Sequence, residues 1–164
     1  MKAKLTIDGK DFEVEISEEQ LQALTETKTG YERVRPGEIY YTGTVDGTSD
    51  CYKENNEKFD DRIYEDANYH SDATIAKNNA RADKLYRQLR RFAVEHRKEE
   101  IDWNNYNTTK YFIALHNGRV EVAEAYYWCV FAGIYYDTKE TVQLAIDTFK
   151  DELLWYFTEY KDSL

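Results

Sequence analysis

The sequence predicts an α+β fold: two tandem ββ(β)α units, their antiparallel sheet packed by two long amphipathic helices, and a small N-terminal ββα module. Three observations predict it. Short alternating runs flank Asp-Gly and Asn-Gly turns, two long stretches carry apolar residues at helical spacing behind capping residues, and features of the first half recur in the second. The 164 residues divide accordingly into an N-terminal module (1–25), a linker (26–37), a first unit (38–98), a connection (99–109) and a second unit (110–164).

The module opens with "KLTI-DG-KDFEVEI", two alternating runs around Asp8-Gly9, a hairpin signal. Ser17 follows as an N-cap with Gln20 at capping-box spacing, and Leu21 and Leu24 give the helix one apolar edge. The stretch "TETKTGYERVRPGE" holds the only proline, Pro36, with Gly30 and Gly37, and reads as a linker or crossover.

Beyond it one pattern is written twice. Tyr40-Tyr41 precede the turn Asp46-Gly47, and Tyr111-Phe112 precede Asn117-Gly118, 71 positions on. Ile63-Tyr64 and Ile134-Tyr135 share that offset and are expected as third strands. The offset then shortens to 67, pairing Ser71 with Thr138 as N-caps, Ile75 with Val142, and Leu89 with Tyr156.

In the first long helix Ile75, Ala82, Leu85, Tyr86, Leu89, Phe92, Ala93 and His96 form the expected buried stripe. In the second, Val142, Ala145, Ile146, Phe149, Leu153, Tyr156, Phe157 and Tyr160 do the same, while Leu144, Leu154 and Trp155 fall outside it. The second helix is therefore expected to be central or to face a partner.

Charge is unevenly spread. The chain carries a formal net charge of -10 and a pI near 4.8, yet residues 77–98 hold eight Lys or Arg against only Asp83 and Glu95. Residues 38–73 hold ten acids against Lys53, Lys58 and Arg62. A basic helix can contact phosphates through Arg81, Lys84, Arg87, Arg90 and Arg91. The acidic surroundings oppose a polyanion, and the expected answer is internal balance against the neighbouring acidic strands.

No catalytic signature is present. His70, His96 and His116 lack i,i+4 partners, and no zinc, calcium-loop, nucleophile-elbow or phosphate-loop spacing occurs. The sequence thus predicts no catalytic residue, no metal and no cofactor. Asp60-Asp61 with Glu65-Asp66 form a carboxylate cluster that reads as solvated rather than cation-binding. Tyr126, Tyr127 and Trp128 are expected on a strand, partly in the core. No run reaches the roughly 20 apolar residues of a membrane span, and the start lacks a secretory leader's apolar core, so a cytoplasmic protein is expected. Cys51 and Cys129 are expected as unpaired thiols.

The blocks "NARADKLYRQLRRFAVEH", "IDWNN" and "AIDTFKDELLWYFTEYKDSL" resemble a family of small acidic proteins of prophages, plasmids and integrative elements of Gram-positive gut bacteria. The N-terminal "KLTIDGKDFEVEISEEQLQAL" resembles a short module joined to various such proteins. The resemblance implies a genetic context and transfers no catalytic residue. Proteins of that context include inhibitors of host defence such as anti-CRISPR proteins. The expectation is an accessory protein that occupies the nucleic-acid groove of a CRISPR-associated or other defence nuclease. Asp60, Asp61, Tyr64, Glu65, Asp66, Glu121, Glu124, Tyr126 and Tyr127 would contact it. The alternative is a replication or transfer factor touching nucleic acid through the basic helix, and a homodimer is the third arrangement.

Overall fold

The computed structural model describes residues 2–7, 10–17, 28–105, 107–126 and 133–160. The fold is α+β, with four α-helices and three antiparallel two-strand hairpins among the described residues. Strands β1 (Lys2–Ile7) and β2 (Lys10–Glu15) pair from Lys2↔Glu15 to Ile7↔Lys10. The expected helix after Ser17, with Gln20, Leu21 and Leu24, lies outside the described residues, as do Asp8-Gly9.

Strands β3 (Ile39–Gly43) and β4 (Ser49–Lys53) form the second hairpin, and β5 (Lys110–His116) and β6 (Arg119–Ala125) the third. The expected third strands are absent among the described residues. In their place a single extended residue returns to each hairpin: His70 bridges Tyr41, and Tyr136 bridges Tyr111. Ile63 and Tyr64 instead belong to α1 (Lys58–Glu65). The Asp60 carboxylate accepts the backbone N–H of Glu57 at 3.0 Å, and Asp60 and Asp61 lie in the first turn, where the helix dipole favours acids. Local capping overrode the strand-like alternation around Ile63.

Helix α2 (Ala73–Glu95) is the axis of the molecule. Its N-cap is Asp72, whose carboxylate accepts the N–H groups of Thr74 and Ile75 at 2.7 and 3.0 Å. The expected cap, Ser71, donates its hydroxyl to Glu32 instead. The first part of α2 packs Ala76 and Ala80 under β3, where a Cβ on Gly43 would come within 3.0 Å of Ala80. Its second part carries Leu85, Leu89, Phe92 and Ala93 into the main core, against Tyr136, Val142, Ala145, Ile146 and Leu153. The β5–β6 hairpin covers this core with Ile113, Val120 and Val122. Each such Leu or Phe contributes about 1.5–3 kcal/mol by leaving water. His96, expected on the stripe, is the exposed C-cap residue, with its ring stacked on Phe92 at 3.8 Å.

The second long helix is not continuous. It runs as α3 (Lys139–Thr148), breaks at Phe149, resumes as α4 (Lys150–Trp155) and ends in a π-helical turn (Tyr156–Tyr160). Thr138 caps it as expected, accepting the N–H of Thr141 at 3.2 Å. Leu144 and Leu154 are exposed, whereas Trp155 is buried beneath Arg81.

Candidate protein-binding face and the network beneath it

The acidic stretch after β4 folds back on itself because two of its carboxylates are internal. Glu54 is fully buried and Asp60 is 3% exposed. Glu54 receives two hydrogen bonds from Arg33, the Tyr69 hydroxyl at 2.8 Å and the N–H of Asn56 at 2.8 Å. Asp60 accepts the Tyr40 hydroxyl at 2.9 Å and the N–H groups of Asn55 and Glu57, each at 3.0 Å. The rings of Tyr40 and Tyr69 stack at 4.1 Å between the two acids. The Arg33 guanidinium holds Glu54 below the usual carboxylate range, and the backbone donor at Glu57 does so for Asp60. Burial pushes both phenols well above theirs. Every charged oxygen in this cluster has a donor, which is what burial of a carboxylate requires.

Asp60, expected as a partner contact, is therefore a scaffold residue, too buried to meet a partner. Asp61 is half spent: it pairs with Arg33 at 2.7 Å while its side chain stays 52% exposed. Tyr64 is exposed at the edge of Tyr69 and under the Arg33 guanidinium, and Glu65 and Asp66 face solvent. Two neighbours went unnoticed in the sequence. Tyr52 on β4 and Phe59 on α1 are both exposed, with ring centroids 5.6 Å apart. Only the packing of α1 against β4 could bring them together.

The acids expected in the second half lie elsewhere. Glu121 pairs with His116 at 2.7 Å, and Glu124 accepts the Tyr126 hydroxyl at 2.6 Å, all on or beside the β5–β6 hairpin. β6 ends at Ala125, so Tyr126 follows the strand rather than belonging to it, and Tyr127, Trp128 and Cys129 lie outside the described residues. Cys51 is exposed and unpaired.

The basic helix is balanced only in part, and not by the acidic strands. Arg81 makes a bidentate pair with Glu152 of α4 at 2.8 and 3.0 Å, and lies over the Trp155 ring at 3.8 Å. Arg87 donates to the carbonyl of Val45 at 2.6 Å, Arg91 pairs loosely with Glu95 at 3.7 Å, and Arg90 lies over Tyr86 at 5.9 Å. The acidic stretch after β4 finds its counter-charge in Arg33 of the linker, through Glu54 and Asp61. Lys84, Arg87 and Arg91, spaced i, i+3 and i+7, share one exposed face of α2 beyond the tip of the β3–β4 hairpin.

A second network ties the linker to both ends of the chain's core. Asn79 of α2 donates to the Tyr31 hydroxyl at 2.7 Å and to Nε2 of His70 at 2.9 Å, and accepts the Tyr160 hydroxyl at 3.0 Å. His70 is buried, and its Nδ1 faces the Tyr41 carbonyl at 3.4 Å, so the neutral Nδ1–H tautomer satisfies both ring nitrogens. Burial lowers its pKa. These groups line a polar cleft of about 460 Å³ with Asp83 and Arg87 at its rim. An apolar cleft of about 620 Å³, which shares Asp83 and Tyr160 with the polar one, is lined by Leu85, Leu89, Ile113 and Phe157.

Among the described residues no group of three His, Cys, Asp or Glu side chains is placed to hold a metal ion. No described helix is long and apolar enough to cross a membrane. No protein-family model, curated protein or solved structure matches the chain.

Proposed function

We propose that the protein is a non-catalytic accessory protein that docks its acidic and aromatic face, β4 with α1, onto a basic protein surface. In its sharpest form the target is the nucleic-acid groove of a CRISPR-associated or other defence nuclease, the class implied by the resemblance to mobile-element proteins. The carrying observation is that Tyr52, Phe59 and Tyr64 remain 39%, 40% and 44% exposed on a unit pinned from beneath by the Arg33–Glu54 pair. Rigid aromatic rings give contact area at low entropic cost. The exposed acids Asp50 of β4, Asp61 and Glu65 of α1 and Asp66 just after it supply long-range attraction for a cationic partner.

Two tandem units underlie this surface. Tyr41, His70 and Asp72 take the places of strand, bridge and cap that Tyr111, Tyr136 and Thr138 take in the second half, one position away from the sequence pairing of Tyr40 with Tyr111 and Ser71 with Thr138, and this recurrence of element order supports a duplicated ββ(β)α layout.

A second reading rests on the exposed ridge Lys84, Arg87 and Arg91, which suits phosphates. One experiment separates the two. The immobilised chain is exposed to host lysate as wild type, as Asp50→Lys/Glu65→Lys/Asp66→Lys, and as Arg87→Ala/Arg90→Ala/Arg91→Ala. The first reading expects one host protein to be retained by the wild type and the arginine variant and lost by the acid variant. The opposite ranking, with a shift of duplex DNA by the wild type at about 0.15 M salt, selects the nucleic-acid reading.

A further inference from the structure

The backbone of the β3–β4 hairpin has a direction that its side chains do not reveal. Tyr41 exchanges both hydrogen bonds with His70, N–H to carbonyl at 2.8 Å and carbonyl to N–H at 2.9 Å. Its backbone groups therefore point away from β4, and Tyr41↔Cys51 is a non-hydrogen-bonded pair. Because direction alternates along a strand, Tyr52 and Asp50 bond inward to Tyr40 and Thr42. The N–H and carbonyl groups of Ser49, Cys51 and Lys53 are left pointing outward. Among the described residues nothing pairs with this outer edge, and Asp50, Cys51, Tyr52 and Lys53 are all exposed.

We infer that β4 is a docking edge that takes an extended segment of a partner protein as an added antiparallel strand, an inference that rests on the protein-binding reading above. The side chains beside the edge specify the segment. Tyr52 and Asp50 share one face of the hairpin, and Phe59 of α1 lies beside Tyr52, 5.6 Å between centroids. A cross-strand neighbour of Tyr52 gains most from a β-branched or aromatic residue, and a neighbour of Asp50 from a cation. An antiparallel partner meets Tyr52, Cys51 and Asp50 in that order. The fitting segment reads apolar, any residue, then Lys or Arg. Its middle residue exchanges two backbone hydrogen bonds with Cys51, as in other strand additions.

The probe is a Thr-rich peptide of about ten residues with Val-Thr-Lys at its centre, the length of an ordinary strand and its flanks. Amide exchange followed by NMR should slow at Ser49, Cys51 and Lys53 on adding the peptide, while Asp50 and Tyr52, already bonded inward, stay unchanged. N-methylation of the central Thr removes the donor to Cys51 and should weaken binding at least about tenfold. Cys51→Pro removes the outward N–H without touching the β3–β4 ladder and should do the same, whereas Cys51→Ala should bind as wild type. The methylated peptide keeps the test decisive if the proline variant does not fold. Uniform small shifts with no alternation, or full binding of the methylated peptide, would overturn strand addition. Loss of lysate retention by the acid variant would in that case leave the protein-binding reading standing, and its retention would remove that reading too.

Discussion

The guanidinium of Arg33 grips the buried carboxylate of Glu54 through two parallel hydrogen bonds, Nε to Oε2 and Nη2 to Oε1, each 3.1 Å, while Nη1 reaches Asp61 at 2.7 Å. A linker residue thus fixes the start of α1 to the end of β4. Arg33→Lys offers one point charge where two aligned donors are needed and should lower the unfolding midpoint clearly. Arg33→Ala should lower it further, because Glu54 would be left buried without a counter-charge. Arg91→Ala, which breaks only an exposed i,i+4 pair, should cost no more than about 0.5 kcal/mol. Urea unfolding of the three variants checks the ranking; equal losses would contradict it.

Tyr40→Phe removes the hydroxyl donor to Asp60 and leaves its two backbone donors in place. The expected cost is about 1–2 kcal/mol by urea unfolding, with the fold retained.

Stability should fall on the acid side in two stages. His70 has a lowered pKa in the fold, so the unfolded chain takes up a proton that the native state refuses. Stability therefore declines as pH drops below about 6.5, the unfolded value, until the native pKa is reached. Glu54, Asp60 and Glu32 are lowered, Glu32 to about 2 through the backbone donor at Thr29. Their contribution is complete above the unfolded carboxylate range near 4 and is lost as pH falls through the native values. His70→Gln should flatten the first stage and leave the second, as read from urea midpoints across pH. An unchanged upper slope would contradict the assignment of the first stage to His70.

Gly30 is buried with φ of +86°, and a Cβ there would come within 2.2 Å of Cδ1 of Ile75. Gly30→Ala combines left-handed backbone strain with a clash. It should destabilise by at least about 1–3 kcal/mol in thermal or urea unfolding. Gly37→Ala, also at positive φ but with open space around it, should cost less.

Leu89→Ala opens a hole in the main core and should cost about 2–5 kcal/mol, whereas Leu144→Ala, on an exposed position, should stay within about 0.5 kcal/mol. Arg81→Ala should change the Trp155 emission, because the guanidinium lies over that ring.

Elements whose signals are local were legible in the linear chain. The N-terminal hairpin, the hairpins around Gly47 and Gly118, and α2 with its buried Leu85, Leu89 and Phe92 follow from turn residues and spacing. Tertiary structure decided everything that depends on which neighbour arrives. Ile63 and Tyr64 became helical because Asp60 caps the helix and bonds Tyr40 across the fold. Asp60 changed from an expected surface acid to a buried acceptor, since no linear pattern says that Tyr40, Tyr69 and Arg33 converge beside it. Tyr52 and Phe59, seven positions apart on different elements, became one exposed pair for the same reason. Periodicity records which face of an element is apolar, but a charge or a ring takes its role from long-range partners, and those are set only when the chain closes on itself.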